Sequence, residues 1–357
     1  MYAADKQKQA VMDSWRIAFP TDSEAFVQFY FEKIYRNENT LLYLEEDKVV
    51  SCLQMLPHKI TYGNKLINAS YISGAATLPE YKNQGLMGKL LTHSFGEMKL
   101  RGEDISILIP QEPWLIDFYS KRGYSSCFEY ELTGIHPDDY PSFPDKMQVK
   151  ALEFCDLKYV YNFYKKHFAI QNLCVQKSRT AFSIMVEECQ LFEGNVYVLI
   201  NKEAIVGLCF CFCSGGKVIL KDCITKNKDY QTYFLSKLTR KFKNQSIFLY
   251  SPVSNPDNAV FLGMVRIIDA YKILKLFSQS NPHLSFSVKV NDGYIPENNK
   301  TFFASDGEVS ESTSGKTDFQ VSIKRLAQLL FGFRISSLKE KYHIFPPQHP
   351  YMSLMLE

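Results

Sequence analysis

The 357-residue sequence predicts a mixed α/β (α+β) protein in which one α/β unit is built twice and a smaller α/β unit closes the chain. Three observations predict it. The apolar period changes from helical to strand-like in the order two helices, three strands, helix, strand, helix, strand. A weaker echo of that order begins near Leu152. The segment after about residue 280 follows neither, and the length itself calls for roughly two or three domains of about 100 to 200 residues. The expected division is 1–140, 141–280 and 281–357.

"DKQKQAVMDSWRIAF" and "DSEAFVQFYFEKIY" read as two helices, the second capped by Asp22, with Phe26, Phe29, Tyr30 and Ile34 on one face. "TLLYLEED", "KVVSCLQMLPHKI" and "KLINASYISGAATL" are three strands joined by the turns "EEDK" and "TYGNK". Met87, Leu90, Leu91, Phe95 and Met98 then keep helical spacing until Gly102. "ISILIP" is an apolar strand, "EPWLIDFYSKRG" a short helix and "SSCFEYELTG" a closing strand.

The echo runs through helices "LKYVYNFYKKHFA" and "SRTAFSIMVEECQLF", strands "NVYVLIN", "AIVGLCFCFC" and "KVILKDCIT", helix "YQTYFLSKLTRKF" and strand "SIFLYSP". Its strand-to-helix junction, "TKNKDYQTYF", holds no glycine. The third part shows short alternating strands with Asp-Gly turns, then a strand leading into a helix in "DFQVSIKRLAQLLFGF", and a proline-broken end, "FPPQHPYMSLMLE".

Composition narrows the partners. A formal charge of +3, from 41 basic and 38 acidic residues, supplies no field to hold nucleic acid or an anionic membrane. The start "MYAADKQKQA" lacks the apolar core of a secretory signal and no run reaches about 18 apolar residues, so a cytoplasmic protein with no membrane span is expected. Nine cysteines in that setting are expected to be reduced thiols. Cys209, Cys211 and Cys213 alternate along one strand face, but no neighbouring histidine or C-x-x-C pair completes a ligand set. They are expected to be core residues, and no metal is expected.

The stretch "GAATLPEYKNQGLMGKLL" carries the chemistry. A helix start leaves its first N–H groups without internal acceptors and gathers partial positive charge. Gly85 lets that backbone approach an anion closely, with Lys82 and Gln84 adding a cation and donors. Phosphate is the expected ligand.

The loop Lys82-Asn83-Gln84-Gly85-Leu86-Met87 resembles motif A of the GNAT acetyltransferases, R/Q-x-x-G-x-G/A, with lysine and methionine at the first and last positions. The whole string "TLPEYKNQGLMGKLL" is similar to the enhanced-intracellular-survival (Eis) branch. So are "GMVRIIDAYKILK", resembling the exit from the second domain of those proteins, and "LSFSVKVNDGYIPENNKTFFASDGEV" with "SIKRLAQLLFGF", resembling their sterol-carrier-like domain. The resemblance implies two tandem GNAT (acyl-CoA N-acyltransferase) domains followed by a sterol-carrier-like domain, often in a hexameric ring. Acetyl-CoA would be bound as co-substrate by the first domain only.

The resemblance also implies roles. Ala75 and Thr77 would pair with the pantetheine arm, while Lys82, Gln84, Gly85, Met87 and Gly88 face the pyrophosphate. Tyr119, five residues before Tyr124 in "DFYSKRGY", occupies the position of the family's acid, which protonates the departing thiolate. His93, on the outer face of its helix, is a poor base; in the Eis branch the C-terminal carboxylate serves, so Glu357 is the expected base, carried by the apolar run Met352, Leu354, Met355, Leu356. Asp22 and Glu24 are candidates for holding a cationic acceptor.

The expected reaction is transfer of an acetyl group to a primary amine: an aminoglycoside, a polyamine or a lysine-type acceptor. One rival is an aminoacyl-tRNA-dependent transferase, which requires a basic groove that the charge balance does not supply. Another is a non-catalytic carrier or sensor of acetyl-CoA or lipid.

Overall fold

The computed structural model describes residues 1–153, 156–312 and 317–355. The chain forms two compact units, one from Met1–Phe128 with Leu262–Pro350, the other from Glu129–Phe261 with Tyr351–Glu357.

The first unit begins with α1 (Lys8–Ala18) and α2 (Glu24–Lys33), then β1 (Thr40–Glu45), β2 (Lys48–Tyr62), β3 (Lys65–Thr77), α3 (Leu86–Leu100), β4 (Ile105–Leu108), α4 (Pro113–Ser120) and the start of β5 (Ser125–Ile135). The expected cap of α2 is corrected here. Ser23, with extended backbone, accepts from the Phe26 amide at 3.2 Å, while Asp22 instead accepts from the Trp15 indole at 2.8 Å. Serine's short hydroxyl reaches the N3 amide from the capping position; Asp22 stands one residue too early to do so.

The second unit continues β5 and adds β6 (Gln148–Ala151), α5 (Leu157–Phe168), β7 (Val175–Gln176), α6 (Arg179–Leu191), β8 (Asn195–Asn201), β9 (Ala204–Ser214), β10 (Lys217–Thr225), α7 (Lys228–Lys241) and β11 (Ser246–Ser251). Its strands lie in the order β5-β11-β10-β9-β8-β6, with β10 and β11 parallel. Cys209 and Cys211 are buried on β9 and Cys213 is half-buried; the cysteines among the described residues are free thiols.

The chain then returns to the first unit. Residues Met264–Ile267 of β12 (Ala259–Ile267) pair antiparallel with β4, giving the order β1-β2-β3-β4-β12. After α8 (Ala270–Ser280), a separate sheet runs β15-β14-β13-β16 from β13 (Phe286–Asn291), β14 (Thr301–Ser305), β15 (Glu308–Ser312) and β16 (Phe319–Ser322), covered by α8 and α9 (Ile323–Leu330). Phe345 lies at its centre with ring centroids 5.1, 5.5 and 5.7 Å from Phe286, Phe277 and Phe319. Arg266 of β12 is fully buried and accepted by both Asp292 oxygens at 2.9 and 3.0 Å, so that removing either partner would strand a charge in the core. Tyr62 also donates to the Leu330 carbonyl at 2.7 Å, tying this sheet to the first strands of the same unit. Among the described residues no helix is long and apolar enough to cross a membrane.

Candidate active site

The site follows from where β3 and β4 part. They pair in parallel only from Ala69↔Ile105 to Tyr71↔Ile107, although β3 continues to Thr77. Beyond Tyr71 the edge of β3 that faced β4 has no strand partner among the described residues, and its other edge stays bonded to β2. A splay of this kind leaves backbone donors and acceptors for an extended ligand.

A bulge turns the end of β3 further. The register passes from Gln54↔Ser73 to Cys52↔Ala76, so Gly74 and Ala75 together oppose one β2 residue. Gly74 has φ +55°, and a Cβ there would lie 2.5 Å from the Trp15 ring and 2.9 Å from Gln54 Nε2, so both the turn and the packing require glycine. Tyr30 on α2 donates to Gln54 or shares its proton with Ser73, at 3.2 and 2.9 Å, forming a buried polar cluster behind the bulge. The alternating pattern of the strand gave no sign of this bulge; a glycine amid "YISGAAT" was the only available signal.

From Thr77 the chain passes through Pro79 to the junction. Asn83 and Gly85 have φ +64° and +77°, and Gly85 caps α3 in left-handed conformation with no side-chain hydrogen bond. Among the described residues, the amides of Leu86, Met87 and Gly88 find no acceptor outside the helix, no acidic residue stands in the first turn, and a Cβ at Gly85 would meet nothing within 4 Å. The helix start is open and electrostatically positive. Lys82 and Gln84 are exposed beside it; Gln84 Nε2 donates to the Glu80 carbonyl at 3.2 Å. Met87 and Gly88 are half-buried in the first turn. Ala75 and Thr77 are half-buried on the splayed strand, and Thr77 Oγ1 lies 2.9 Å from Ser51 Oγ.

Tyr119 stands in the last turn of α4, 7% exposed, with its ring edge-on to Tyr124 at 5.6 Å. Burial pushes its phenol up to about 12, opposed by the Arg122 charge, and its hydroxyl makes no hydrogen bond among the described residues. It is therefore a protonated donor with its proton uncommitted at neutral pH. Tyr124, by contrast, is engaged with Ser106 at 2.7 Å.

The other candidates fall out separately. Glu24 is held bidentate by Arg16 at 3.0 and 2.7 Å, which lowers its carboxyl to about 2. Asp22 keeps one oxygen on Trp15. His93 is exposed and lies 3.5 Å from Glu97. Glu357 lies outside the described residues. The residues leading to it are built into the second unit: Tyr351 exchanges backbone bonds with Leu173 and Val175 and donates to buried Asp222 at 2.8 Å, Tyr250 donates to the Met352 carbonyl at 3.1 Å, and Lys177 reaches Met355 Sδ at 3.0 Å.

The open helix start, the unpaired β3 edge and a free protonated phenol fit an extended, phosphorylated thioester such as acetyl-CoA. The sequence profile of the acetyltransferase (GNAT) domain matches residues 2–127, and that of the sterol carrier protein domain matches 264–344. An S-alkylcysteine N-acetyltransferase of Bacillus subtilis (strain 168) is 41% identical over 64 residues, 16% of this chain and 36% of that protein; the chain thus spans about a third of the length of this curated relative. Among solved structures, a probable N-acyltransferase of unknown function from Enterococcus faecalis V583 has a TM-score of 0.80 at 15% identity, covering 98% of this chain and 96% of its own. A GCN5-related N-acetyltransferase from Anabaena variabilis ATCC 29413 gives 0.79 at 17%, covering 99% and 98%. Eis1 from Mycobacterium abscessus gives 0.72 at 13%, covering 93% and 89%. At these identities the structures establish the fold.

Proposed function

Residues 2–127 being a GNAT acetyltransferase domain, we propose that this enzyme is of the Eis type and moves the acetyl group of acetyl-CoA to a primary amine on an aminoglycoside, a polyamine or a lysine-type acceptor. The observation that carries the cofactor assignment is the uncapped, acid-free start of α3 beside the splayed end of β3. In this reading the amides of the first turn, with Lys82, Gln84 and Gly85, hold the pyrophosphate, and Met87 and Gly88 stand behind them. Ala75 and Thr77 pair with the pantetheine arm.

The amine nitrogen attacks the thioester carbonyl, the carbon–sulfur bond breaks, and the electron pair leaves on sulfur. Tyr119 supplies the proton that the sulfur takes. An alkylamine is mostly protonated at neutral pH, so a base is required to free its lone pair. We assign that base to Glu357, through its side chain or, where it ends the chain, its main-chain carboxylate. Asp22 and Glu24 serve as the proposed cation-binding acids of the acceptor side, and the lone pairs that Trp15, Arg16 and Gln28 leave open are the ones available to it.

The domain division 1–140, 141–280 and 281–357, a cytoplasmic location and a hexameric assembly belong to the same proposal and rest on the resemblance. A free-thiol assay with acetyl-CoA over a panel of aminoglycosides, polyamines and lysine peptides tests the proposal. Amine-dependent thiol release is expected; acetyl-CoA binding with no release for any amine would overturn it in favour of a carrier or sensor.

A further inference from the structure

Arg122, in the turn after α4, is placed where a protein rarely leaves an arginine without an acid. Its guanidinium packs against the first turn of α3: a Cβ added to Gly88 would lie 2.5 Å from Nη2. In a helix the Cα–Cβ bond tilts toward the N-terminus, so Nη2 stands over the start of α3. It stacks on Phe118 with its central carbon 3.7 Å from the ring centroid, and Nη1 donates to the Phe118 carbonyl at 2.8 Å. Nε is buried with no acceptor, and among the described residues no carboxylate pairs with the side chain. The nearest acid in sequence, Asp117, is taken by Lys121 at 2.7 Å.

A cation capping the last carbonyls of α4 accounts for Nη1 alone. It leaves unexplained why a second positive group is stacked onto the positive end of α3, where peptide dipoles disfavour it and the first-turn amides already lack acceptors. An anion at that point resolves both. The contact also accounts for Gly88, because any side chain there would displace the guanidinium.

We propose that Arg122 is a ligand of the coenzyme A pyrophosphate, donating from Nη2 together with the first-turn amides of α3. The inference rests on the acetyl-CoA reading and deepens it. Motif A has lysine at position 82 where arginine is usual; Arg122, reaching in from the other side of the junction, restores a guanidinium that can donate in fork geometry.

The test compares three compounds that differ only in phosphates: acetyl-CoA, its 3′-dephospho form and S-acetylpantetheine. Affinities are measured by calorimetry, or for the weak pantetheine compound by its KM as acyl donor, on the wild type, Arg122→Met and Arg122→Lys. Loss of one charged hydrogen-bonding group is expected to weaken acetyl-CoA and 3′-dephospho-acetyl-CoA alike, by about 10- to 100-fold in Arg122→Met, with partial recovery in Arg122→Lys. The KM for S-acetylpantetheine should be unaffected. Circular dichroism and thermal unfolding verify that the variants fold; should Arg122→Met fail to, Arg122→Lys carries the same comparison. Equal loss for S-acetylpantetheine, or no loss for the phosphorylated compounds, overturns the inference. Loss confined to acetyl-CoA would place Arg122 on the 3′-phosphate and overturn the pyrophosphate assignment. A wild type that binds S-acetylpantetheine as tightly as acetyl-CoA would sink the phosphate-loop reading itself, and this proposal with it.

Discussion

The two strand-to-helix junctions of this chain use the same scaffold and end differently. In each, a strand pairs in parallel with the strand after the helix and then departs from it, after Tyr71 on β3 and after Leu220 on β10. Each departing strand carries a left-handed residue at its irregularity, Gly74 in one and Asp222 in the other. At the helix that follows, α3 starts from Gly85 with nothing closing its amides, whereas the Asn227 side chain accepts from the Tyr230 amide at 2.9 Å and Asp229 answers the dipole of α7 from its first turn. The cleft beside β10 is occupied in part by the chain itself. Asp222, Tyr351 and Tyr250 line its roughly 320 Å³ cavity, and Asp222 accepts from the Tyr351 and Tyr164 hydroxyls at 2.8 and 3.3 Å. One junction leaves its helix start uncapped, as the acetyl-CoA proposal requires, and the other carries its own side-chain cap.

The sharpest way to break this contrast is Gly85→Glu. A Cβ there would meet nothing within 4 Å, and the strain of a non-glycine residue at φ +77°, about 1–3 kcal/mol, leaves the fold standing, but the new charge would occupy the proposed phosphate position, so acetyl-CoA affinity should fall by more than about 100-fold. Calorimetry should also count one site per wild-type chain; two equivalent sites would erase the distinction between the junctions. Next in size, Tyr119→Phe should keep acetyl-CoA affinity and lower turnover by about 100-fold, in the range of acid catalysis. A drop in thermal stability with turnover held within a few-fold would make Tyr119 a packing residue.

Tyr351→Phe should cost about 1–3 kcal/mol in denaturant unfolding, because the buried Asp222 carboxyl loses the 2.8 Å hydrogen bond from the Tyr351 hydroxyl. No change would show that the tail is not held by Asp222. A smaller loss, about 1 kcal/mol, is expected of Asn227→Ala, with acetyl-CoA affinity untouched; altered cofactor binding would contradict the sealed state of that junction. The smallest effect is one of pH. The folded phenol of Tyr119 is raised to about 12 from 10.0, so its contribution to stability is complete below about pH 10 and is lost as pH rises from there through 12. The wild type should therefore lose stability more steeply than Tyr119→Phe over that window, and identical slopes would remove the burial argument.

Much of the scaffold was legible because it is written locally. Alternating and helical periods located the strands and helices of both halves, and Gly85 marked the strand-to-helix junction, where the structure gives it φ +77°. The features missed are non-local or positional. Asp22 and Ser23 are both good cap residues, and only the three-dimensional course of the chain shows that Trp15 claims the first and the Phe26 amide the second. Arg122 reads as an ordinary loop cation; its meaning depends on Gly88, which lies 34 residues earlier and is brought beside it by the packing of α3 and α4.

What the sequence determined by itself is the repeated order of the main helices and strands, the glycine junction at Gly85, the absence of a glycine from the second junction and the motif position of Tyr119, because each depends on residues within a few positions of one another. Tertiary structure alone decided that residues 262–350 return to the first unit, where β12 pairs with β4 and Arg266 meets Asp292. It likewise decided that Tyr351 finds Asp222, 129 positions away. Strand partners and buried polar pairs at such separations are chosen by which surfaces can be desolvated together with every donor and acceptor matched, and that choice leaves no local period to read.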